Sequence, residues 1–290
     1  MTSEKAYKTL LGIIGGVLII GLLLSIFFTL FINSLPSIKS FGFKFFLEKT
    51  WDPVFGNFGA LPFIIGTLLT SIISLIISIP FSLSVSLFVG EFYRDTFLSK
   101  ILETLIGILA VIPSVIIGLW ALFYLTPIIR NIQAKLSLPP TGVCIFTASL
   151  TLSIMILPYA TSVGKEVIKL VPNDLKEAGF SFGATSYEVV KKIVFPYARS
   201  GILAGFLLSF GRAIGETMAV TMVIGNSNYI PKNIFSPGNT ISSVIANEFL
   251  EAVENIHISS LIELALILFL ITFIMNFVAN IIIKRMRVKI

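Results

Sequence analysis

The sequence predicts an all-α membrane protein with six transmembrane helices, and three observations lead to that fold class. Hydrophobic residues make up 56% of the 290 residues and charged residues only 12%, about half the roughly 25% that is usual in soluble domains. Six stretches are apolar over the roughly 20 residues that a membrane-spanning helix needs. Lys and Arg are unevenly distributed among the connections, as expected for a membrane protein of fixed topology.

The six apolar stretches define the predicted helices in chain order. They are Leu10–Ile32, Leu61–Val89, Ile101–Thr126, Val143–Ala160, Gly201–Gly225 and Leu261–Ile283. Two of the connections, residues 160–200 and 226–260, are long, and long loops are commonly functional.

The basic residues predict the orientation. With a cytoplasmic N-terminus, 14 of the 21 Lys and Arg fall inside, six fall outside, and Arg212 lies within the fifth stretch. The inside set is Lys5, Lys8, Arg94, Lys100, Lys165, Lys169, Lys176, Lys191, Lys192, Arg199, Lys284, Arg285, Arg287 and Lys289. The asymmetry predicts that both termini are cytoplasmic. The net charge of +6 is therefore interpreted as a topology signal and not as the basic face of a nucleic-acid-binding protein.

The rare residue types and absent motifs exclude several kinds of chemistry. Cys144 is the one cysteine and His257 the one histidine, so an internal disulfide, a thiolate metal site and a paired-histidine metal motif are all excluded. Neither G-x-x-x-x-G-K-[ST] nor G-x-G-x-x-G occurs, so the sequence carries no nucleotide-binding signature. We expect no cofactor on this chain and no enzymatic activity of its own.

The connection 160–200 predicts two short helices beneath the membrane. Pro172 suits a first helical turn, with Asn173 and Asp174 as candidate caps, and Gly183 suits the end of that helix. A second amphipathic helix is predicted from Ser186, stopping at Pro196. One face of the first helix carries Leu175, Ala178, Gly179 and Phe182.

This pair of helices has two interpretations. One is an amphipathic hairpin that rests on the lipid surface. The other is a docking element that fills a groove on a cytoplasmic partner.

The fifth stretch carries Arg212 and Glu216 near its middle. Each costs roughly 2.5–3.5 kcal/mol at a helix centre, so both should face protein or water, and their i, i+4 spacing allows an ion pair. Gly201, Gly205 and Ser209 are predicted to share this face. Either the pair is structural, or Arg212 contacts an oxyanion in transit while Glu216 neutralises it when the site is empty.

A second polar stripe lies on the second stretch, at Thr67, Ser71, Ser74 and Ser78, and Ser82 continues it. It has two interpretations, a substrate pathway or helix–helix packing, since small hydroxylated residues are common at such contacts. In the connection 226–260, His257 is expected to be a surface histidine.

The long cytoplasmic connection resembles a known family. Glu177-Ala178, then Gly183, then Ile193 and Pro196 resemble the E-A-A…G…I-x-x-P loop of permease subunits of ATP-binding-cassette (ABC) importers. The resemblance implies that the helix before the glycine is a coupling helix docked in a cleft of an ATPase subunit. The residues that it assigns to coupling are Asp174, Glu177, Ala178, Gly179, Gly183, Ala184, Ile193 and Pro196, with Gly179 standing where the family often has alanine.

The fifth stretch indicates which group of importer permeases the chain resembles. Residues 211–220, G-R-A-I-G-E-T-M-A-V, followed by Gly225-Asn226, resemble phosphate-specific importer permeases. Residues 59–68, 112–120 and 241–249 resemble the PstC-type subunit in particular; the paired PstA-type subunit shares only the G-R-A-I-G-E-T core. The resemblance extends over about residues 50–285.

The resemblance implies a type I ABC importer permease fold, multi-pass in a prokaryotic cell membrane. Residues 1–60 would form an N-terminal transmembrane helix and outer loop, and residues 61–285 the transporter domain with its coupling loop at 161–200. The implied partners are a PstA-like permease, a homodimeric ATPase that holds ATP and Mg²⁺, and an extracytoplasmic phosphate-binding protein facing Glu248, Glu251 and Glu254. The implied substrate pathway is Arg212, Glu216, Ser209, Thr67, Ser71, Ser74 and Ser78.

Three alternatives stay open at this point. The chain could be the PstA-type partner, or a permease for another oxyanion such as molybdate or sulfate. It could also be a secondary anion transporter that works without ATP, although such a protein needs no docking loop.

Overall fold

The computed structural model describes residues 2–286, with the backbone alone over residues 2–9 and at residue 11. Within that range the fold is helical, apart from an isolated β-bridge between Asp52 and Asn57. Arg287 and Lys289 of the predicted cytoplasmic set lie outside the described residues, as do the side chains of Lys5 and Lys8.

Thirteen α-helices and three π-helical turns follow one another along the described chain. The helices are α1 (Thr2–Phe41), α2 (Lys44–Leu47), α3 (Leu61–Leu87), α4 (Phe97–Val111), α5 (Ser114–Trp120), α6 (Thr126–Lys135), α7 (Ile145–Lys169), α8 (Asn173–Ser181), α9 (Ser186–Val189), α10 (Phe195–Gly215), α11 (Met218–Val223), α12 (Ile241–Glu248) and α13 (Asn255–Met286). The π-helical turns are Phe88–Phe92, Ala121–Leu125 and Val190–Val194.

Six segments of the described chain are long and apolar enough to cross a membrane, which confirms the predicted number. They are Gly12–Phe41, Leu61–Phe92, Ser114–Lys135, Ile145–Lys169, Ser186–Gly215 and Asn255–Met286.

The third predicted span was wrong in its position. The helix breaks at Ile112 and Pro113, both of which adopt extended ψ angles of 126° and 137°, because proline lacks an N–H and restricts the residue before it. The stretch from Ile101 is therefore divided between α4 and a span that runs on from Ser114 to Lys135.

The fifth predicted span was also misplaced. Pro196 does not stop the second loop helix, because it lies in the first turn of α10, where the missing N–H of proline is tolerated. A π-helical turn, Val190–Val194, joins α9 to α10, so one continuous segment begins at Ser186. That segment ends at Gly215 and not at Gly225.

The bundle has two ends, here called the α12 end and the α8 end. At the α12 end, the Ile241 N–H donates to Thr67 Oγ1 at 3.0 Å near the start of α3. Toward the α8 end, Ser86 Oγ donates to the Thr161 carbonyl at 3.2 Å, near the last turns of α3 and α7. These two helices therefore run side by side in the same direction, and they form the most extensive helix pair of the described chain.

Small residues allow the other helices to pack closely around this pair. A Cβ at Gly201 of α10 would lie 2.5 Å from both γ-carbons of Val167 on α7, so only glycine permits this approach. The helix α1 docks on α13, where the Ser37 N–H donates to Ser259 Oγ at 3.0 Å and the Ser37 and Ser260 hydroxyls lie 3.1 Å apart. Most large apolar side chains of α1 are otherwise exposed, as suits a helix that faces lipid.

Replacement of Gly66 tests the packing of α3 at the α12 end. A Cβ at this position would overlap the carbonyl oxygen of Asn239. We expect Gly66→Ala to lower the apparent melting temperature of the detergent-purified protein, because overpacking costs about 1–3 kcal/mol.

The matched control is Gly107→Ala on α4, where an added Cβ meets no atom within 4 Å. This variant should keep or raise the melting temperature, since alanine is the better helix former. A Gly66→Ala protein as stable as the original would contradict the close contact with Asn239.

Candidate functional site

The two charges of the fifth span lie at a helix break and not within a regular helix. The helix α10 ends at Gly215, and Glu216 is extended with ψ 130°, so the i, i+4 geometry expected for Arg212 and Glu216 is lost. No ion pair joins them in the described chain; the Arg212 guanidinium instead stacks on the Tyr159 ring, 4.5 Å from its centroid. The interpretation of a structural intrahelical pair was therefore wrong for this conformation, and Arg212 retains its hydrogen-bond donors for a ligand.

Arg212 and Glu216 line an open groove of about 550 Å³, hereafter the Arg212 groove. Its other polar side chains are Tyr159 of α7 and Thr272 and Asn276 of α13. Asn276 Nδ2 donates to the Thr272 carbonyl at 3.0 Å, so its side-chain oxygen remains as an acceptor. Thr272 and Asn276 were not predicted as site residues, although a polar pair at i, i+4 within an otherwise apolar span was a detectable signal.

The remainder of the predicted polar face of α10 packs against α7 and does not line this groove. Ser209 is fully buried, and its hydroxyl donates to the Ile156 carbonyl at 3.3 Å. A Cβ at Gly205 would lie 3.0 Å from Val163 Cβ, so that glycine also serves helix packing. The predicted polar face of α10 therefore serves two purposes. Gly205 and Ser209 pack against α7, and Arg212 in the last turn lines the groove.

The hydroxyl stripe of α3 lies inside the bundle. Thr67, Ser71, Ser74 and Ser78 are each at most 1% exposed, and none of them lines the Arg212 groove. Thr67, Ser74 and Ser78 donate to carbonyls of the preceding turn of their own helix. This burial favours the packing interpretation of the stripe over the substrate pathway.

The two loop helices form a compact hairpin, residues 173–194, at the α8 end. Gly183 has φ +80°, the left-handed conformation that ends a helix and that glycine adopts without strain. Thr185 then caps α9 through a capping box with Glu188. The expectation of a cap from Asn173 or Asp174 was wrong, since α8 begins at Asn173 behind Pro172 without a side-chain cap.

The inner face of the hairpin explains one departure from the family pattern. A Cβ at Gly179 would lie 2.6 Å from Ile193 Cδ1, so the glycine permits close packing of α8 on the following π-helical turn. The Ala184 N–H donates to the Gly179 carbonyl at 3.2 Å, which closes the turn between the helices. Gly179, Ala184 and Ile193 therefore hold the hairpin together.

The outer face of the hairpin is exposed and partly apolar. Phe182 is 92% exposed, and Asp174, Glu177 and Ala178 are exposed as well. Other large apolar side chains on this surface are Leu170, Leu175, Phe180 and Tyr187. An exposed apolar patch with polar neighbours is typical of an interaction surface.

His257, expected at the surface, is instead held in a network at the α12 end. Its Nε2 lies 3.1 Å from Glu248 Oε2, and its ring stacks on Phe58 with centroids 5.4 Å apart. Trp51 Nε1 donates to the same Glu248 oxygen at 2.8 Å, and Asn228 Nδ2 donates to the other at 3.1 Å. This expectation was wrong because the rings of Trp51 and Phe58, which cover His257, are distant from it in the sequence.

No group of three or more His, Cys, Asp or Glu side chains is arranged to hold a metal ion within residues 2–286.

Comparisons with known proteins agree on a transport family. Residues 82–288 match the family described as the binding-protein-dependent transport system inner membrane component. The chain is 40% identical over 283 residues to the phosphate transport system permease protein PstC of Mesorhizobium japonicum, covering 92% of this chain and 84% of that protein. It is 41% identical over 263 residues to PstC of Haemophilus influenzae, with coverages of 86% and 83%.

The fold is similar to that of a solved transporter. A chain of the inward-facing MetNI methionine ABC transporter superposes with a TM-score of 0.61, covering 82% of this chain and 99% of that chain. The two sequences are only 15% identical, so this likeness concerns the fold alone.

Removal of the Glu248 carboxylate tests the network at the α12 end. Glu248→Ala leaves the half-buried donors of Trp51, Asn228 and His257 without their acceptor. Each unsatisfied group costs about 1–3 kcal/mol, so we expect a lower melting temperature. The matched control is the exposed Glu251→Ala, and equal effects of the two variants would contradict the structural role of Glu248.

Proposed function

Since this chain belongs to the binding-protein-dependent transport system inner membrane component family, we propose that it is the PstC-type permease subunit of an ATP-driven phosphate importer. It is a multi-pass protein of the cell membrane, and its role is transport and not catalysis. The observation that carries the assignment of substrate is the Arg212 groove. It presents one guanidinium among neutral polar groups and the Glu216 carboxylate, and Arg suits a tetrahedral oxyanion because its donors form a planar fork.

The groove is suited to a transient contact. Glu216 lines it together with Arg212 and repels an anion, so bound phosphate would be held weakly enough to leave again. Conduction requires such a balance between entry and release. The groove is open on one side, and a PstA-like permease, paired with this chain as a heterodimer, would complete it.

The exposed face of the hairpin is the proposed docking surface for a homodimeric ATPase. Its apolar side chains, with Glu177 and Asp174 beside them, suit a cleft on that partner. ATP and Mg²⁺ would be bound there and not by this chain. Closure of the ATPase dimer would turn the pore outward, and hydrolysis would reset it.

The proposed orientation places both termini and the hairpin in the cytoplasm. The excess of Lys and Arg in the segments around the α8 end supports this direction. The α12 end then faces the extracytoplasmic phosphate-binding protein. Glu251 and Glu254 are exposed there, whereas Glu248 is engaged with His257 and Trp51.

Arg212→Gln tests the pathway. In proteoliposomes that contain the whole complex, we expect ATP-dependent phosphate uptake to fall at least about tenfold, since a hydrogen bond to a charged group is worth about 1.5–3 kcal/mol. Assembly of the complex should persist, because Arg212 is exposed and forms no ion pair in the described chain.

The control variant is Arg130→Gln, which removes an exposed arginine of α6 outside the groove. Normal uptake by Arg212→Gln would refute the role of Arg212. Substantial uptake by the unmodified complex against a gradient without ATP would refute the importer and favour a secondary transporter.

Gly183→Val tests the docking hairpin. A β-branched residue at φ +80° costs about 1–2 kcal/mol in the left-handed region, so the end of α8 should distort. We expect the ATPase to co-purify in smaller amount, or ATP hydrolysis to continue without uptake. Gly107→Val, at an exposed helical glycine of α4, is the control, and full coupled activity of Gly183→Val would contradict the proposed surface.

A further inference from the structure

One ion pair connects the docking hairpin to a helix that is not its neighbour in the sequence. Lys176 of α8 donates from Nζ to Glu91 Oε2, 2.6 Å away. The side chains are only 10% and 15% exposed. Ion pairs screened this far from water lose much less to salt than those on the surface. Lys176 is also the buried residue of an otherwise exposed helix.

Glu91 lies in the segment that continues α3. It belongs to the π-helical turn Phe88–Phe92, which continues α3 without interruption. A Cβ at Gly90 would lie 3.0 Å from Ile168 Cγ2 and 3.1 Å from the Lys165 carbonyl. This backbone therefore packs directly on the last turns of α7, and a force on Glu91 acts on a well-packed element.

The other contacts of α8 remain within the hairpin. Gly179 packs against Ile193, and the Gly179 carbonyl accepts from Ala184. The rest of the hairpin is joined to α7 and α10 by the chain, and its Val189 and Val194 share an apolar cluster with Leu83 and Leu87 of α3. Its polar contact with α3, among the described residues, is the one between Lys176 and Glu91.

Two lysines of α7 at the same end hold α4 through a carboxylate of that helix. Lys165 and Lys169 of α7 lie 3.1 and 2.9 Å from Glu103 Oε1 of α4. The hydrogen bond from Lys169 and the nearby Lys165 hold the pKa of Glu103 below its usual range, although partial burial opposes the shift. Among these partly buried ion pairs of the described chain, the one that includes a hairpin residue is Lys176–Glu91.

We propose that the Lys176–Glu91 ion pair is the positioning contact through which movement of the coupling hairpin shifts α3. Lys176 and Glu91 touch neither phosphate nor ATP, and they act through the helix that they align. This inference rests on the proposed function, because it assigns a route for the ATPase movement within this chain. Without the pair, the hairpin would keep its chain connections to α7 and α10 and its apolar contact with α3, but the end of α3 would lose the charged contact that aligns it with α8.

The test uses the whole complex in proteoliposomes and measures phosphate uptake and ATP hydrolysis together. Lys176→Met and Glu91→Gln should each lower the phosphate transported per ATP hydrolysed by about fivefold or more, the lower part of the range for coupling between sites. The ATPase should remain bound, because its docking face is the opposite side of α8. The double variant Lys176→Glu with Glu91→Lys should recover most of the lost ratio.

Lys192→Met is the matched control. It removes an exposed lysine of the same hairpin that pairs with Glu188 at 3.1 Å and should leave the ratio unchanged. If both single variants transport as much phosphate per ATP as the unmodified complex, the inference is overturned. The proposed function would still stand in that case, because the unmodified complex takes up phosphate. Loss of the ATPase from the single variants, or a charge-reversed double variant no better than either single one, would also overturn the inference. Absence of ATP-dependent uptake by the unmodified complex would instead refute the function itself.

Discussion

The interior of a bilayer offers no hydrogen-bond partner to the backbone, and the arrangement around Arg212 depends on this constraint. A helix can end at membrane depth only where protein or a water-filled cavity receives the freed groups. The end of α10 at Gly215 satisfies this condition, because the break opens onto the Arg212 groove and α11 resumes at Met218. The same constraint explains why a charged residue is found there, since water in the groove or a passing anion can solvate it.

Close packing of small residues makes the rest of the bundle stiff enough to transmit movement. Hydroxyls of α3 donate hydrogen bonds to carbonyls of their own helix. The glycines of α10 allow its backbone to pack closely on the valines of α7. The three helices therefore form a compact unit with the groove at one edge. The lipid-facing helix α1 is attached to this unit through α13, with which it shares serine hydrogen bonds and which packs on α10.

The charges divide according to their surroundings. At the α8 end, Lys176 and Glu91, or Lys165, Lys169 and Glu103, form partly buried pairs that hold elements together. In the groove, Arg212 stacks on the Tyr159 ring, and an aromatic face attracts a cation without occupying its hydrogen-bond donors. The lysines at the α8 end are neutralised by carboxylates within 3.1 Å, whereas the stacked arginine is not.

The sequence by itself determined the features that depend on local chemistry. Apolar length gave the number of spans, Gly183 gave the turn of the hairpin, and the motifs around Glu177 and Arg212 indicated the family. The tertiary structure decided what the side chains contact. It buries the hydroxyl stripe of α3, brings Tyr159 beside Arg212, and places His257 within hydrogen-bond distance of Glu248. Hydropathy and helix-ending tendencies act within a few residues, but partners on different helices are brought together only when the bundle packs. For that reason the break after Gly215, which separates Arg212 from Glu216, was not predicted from their i, i+4 spacing.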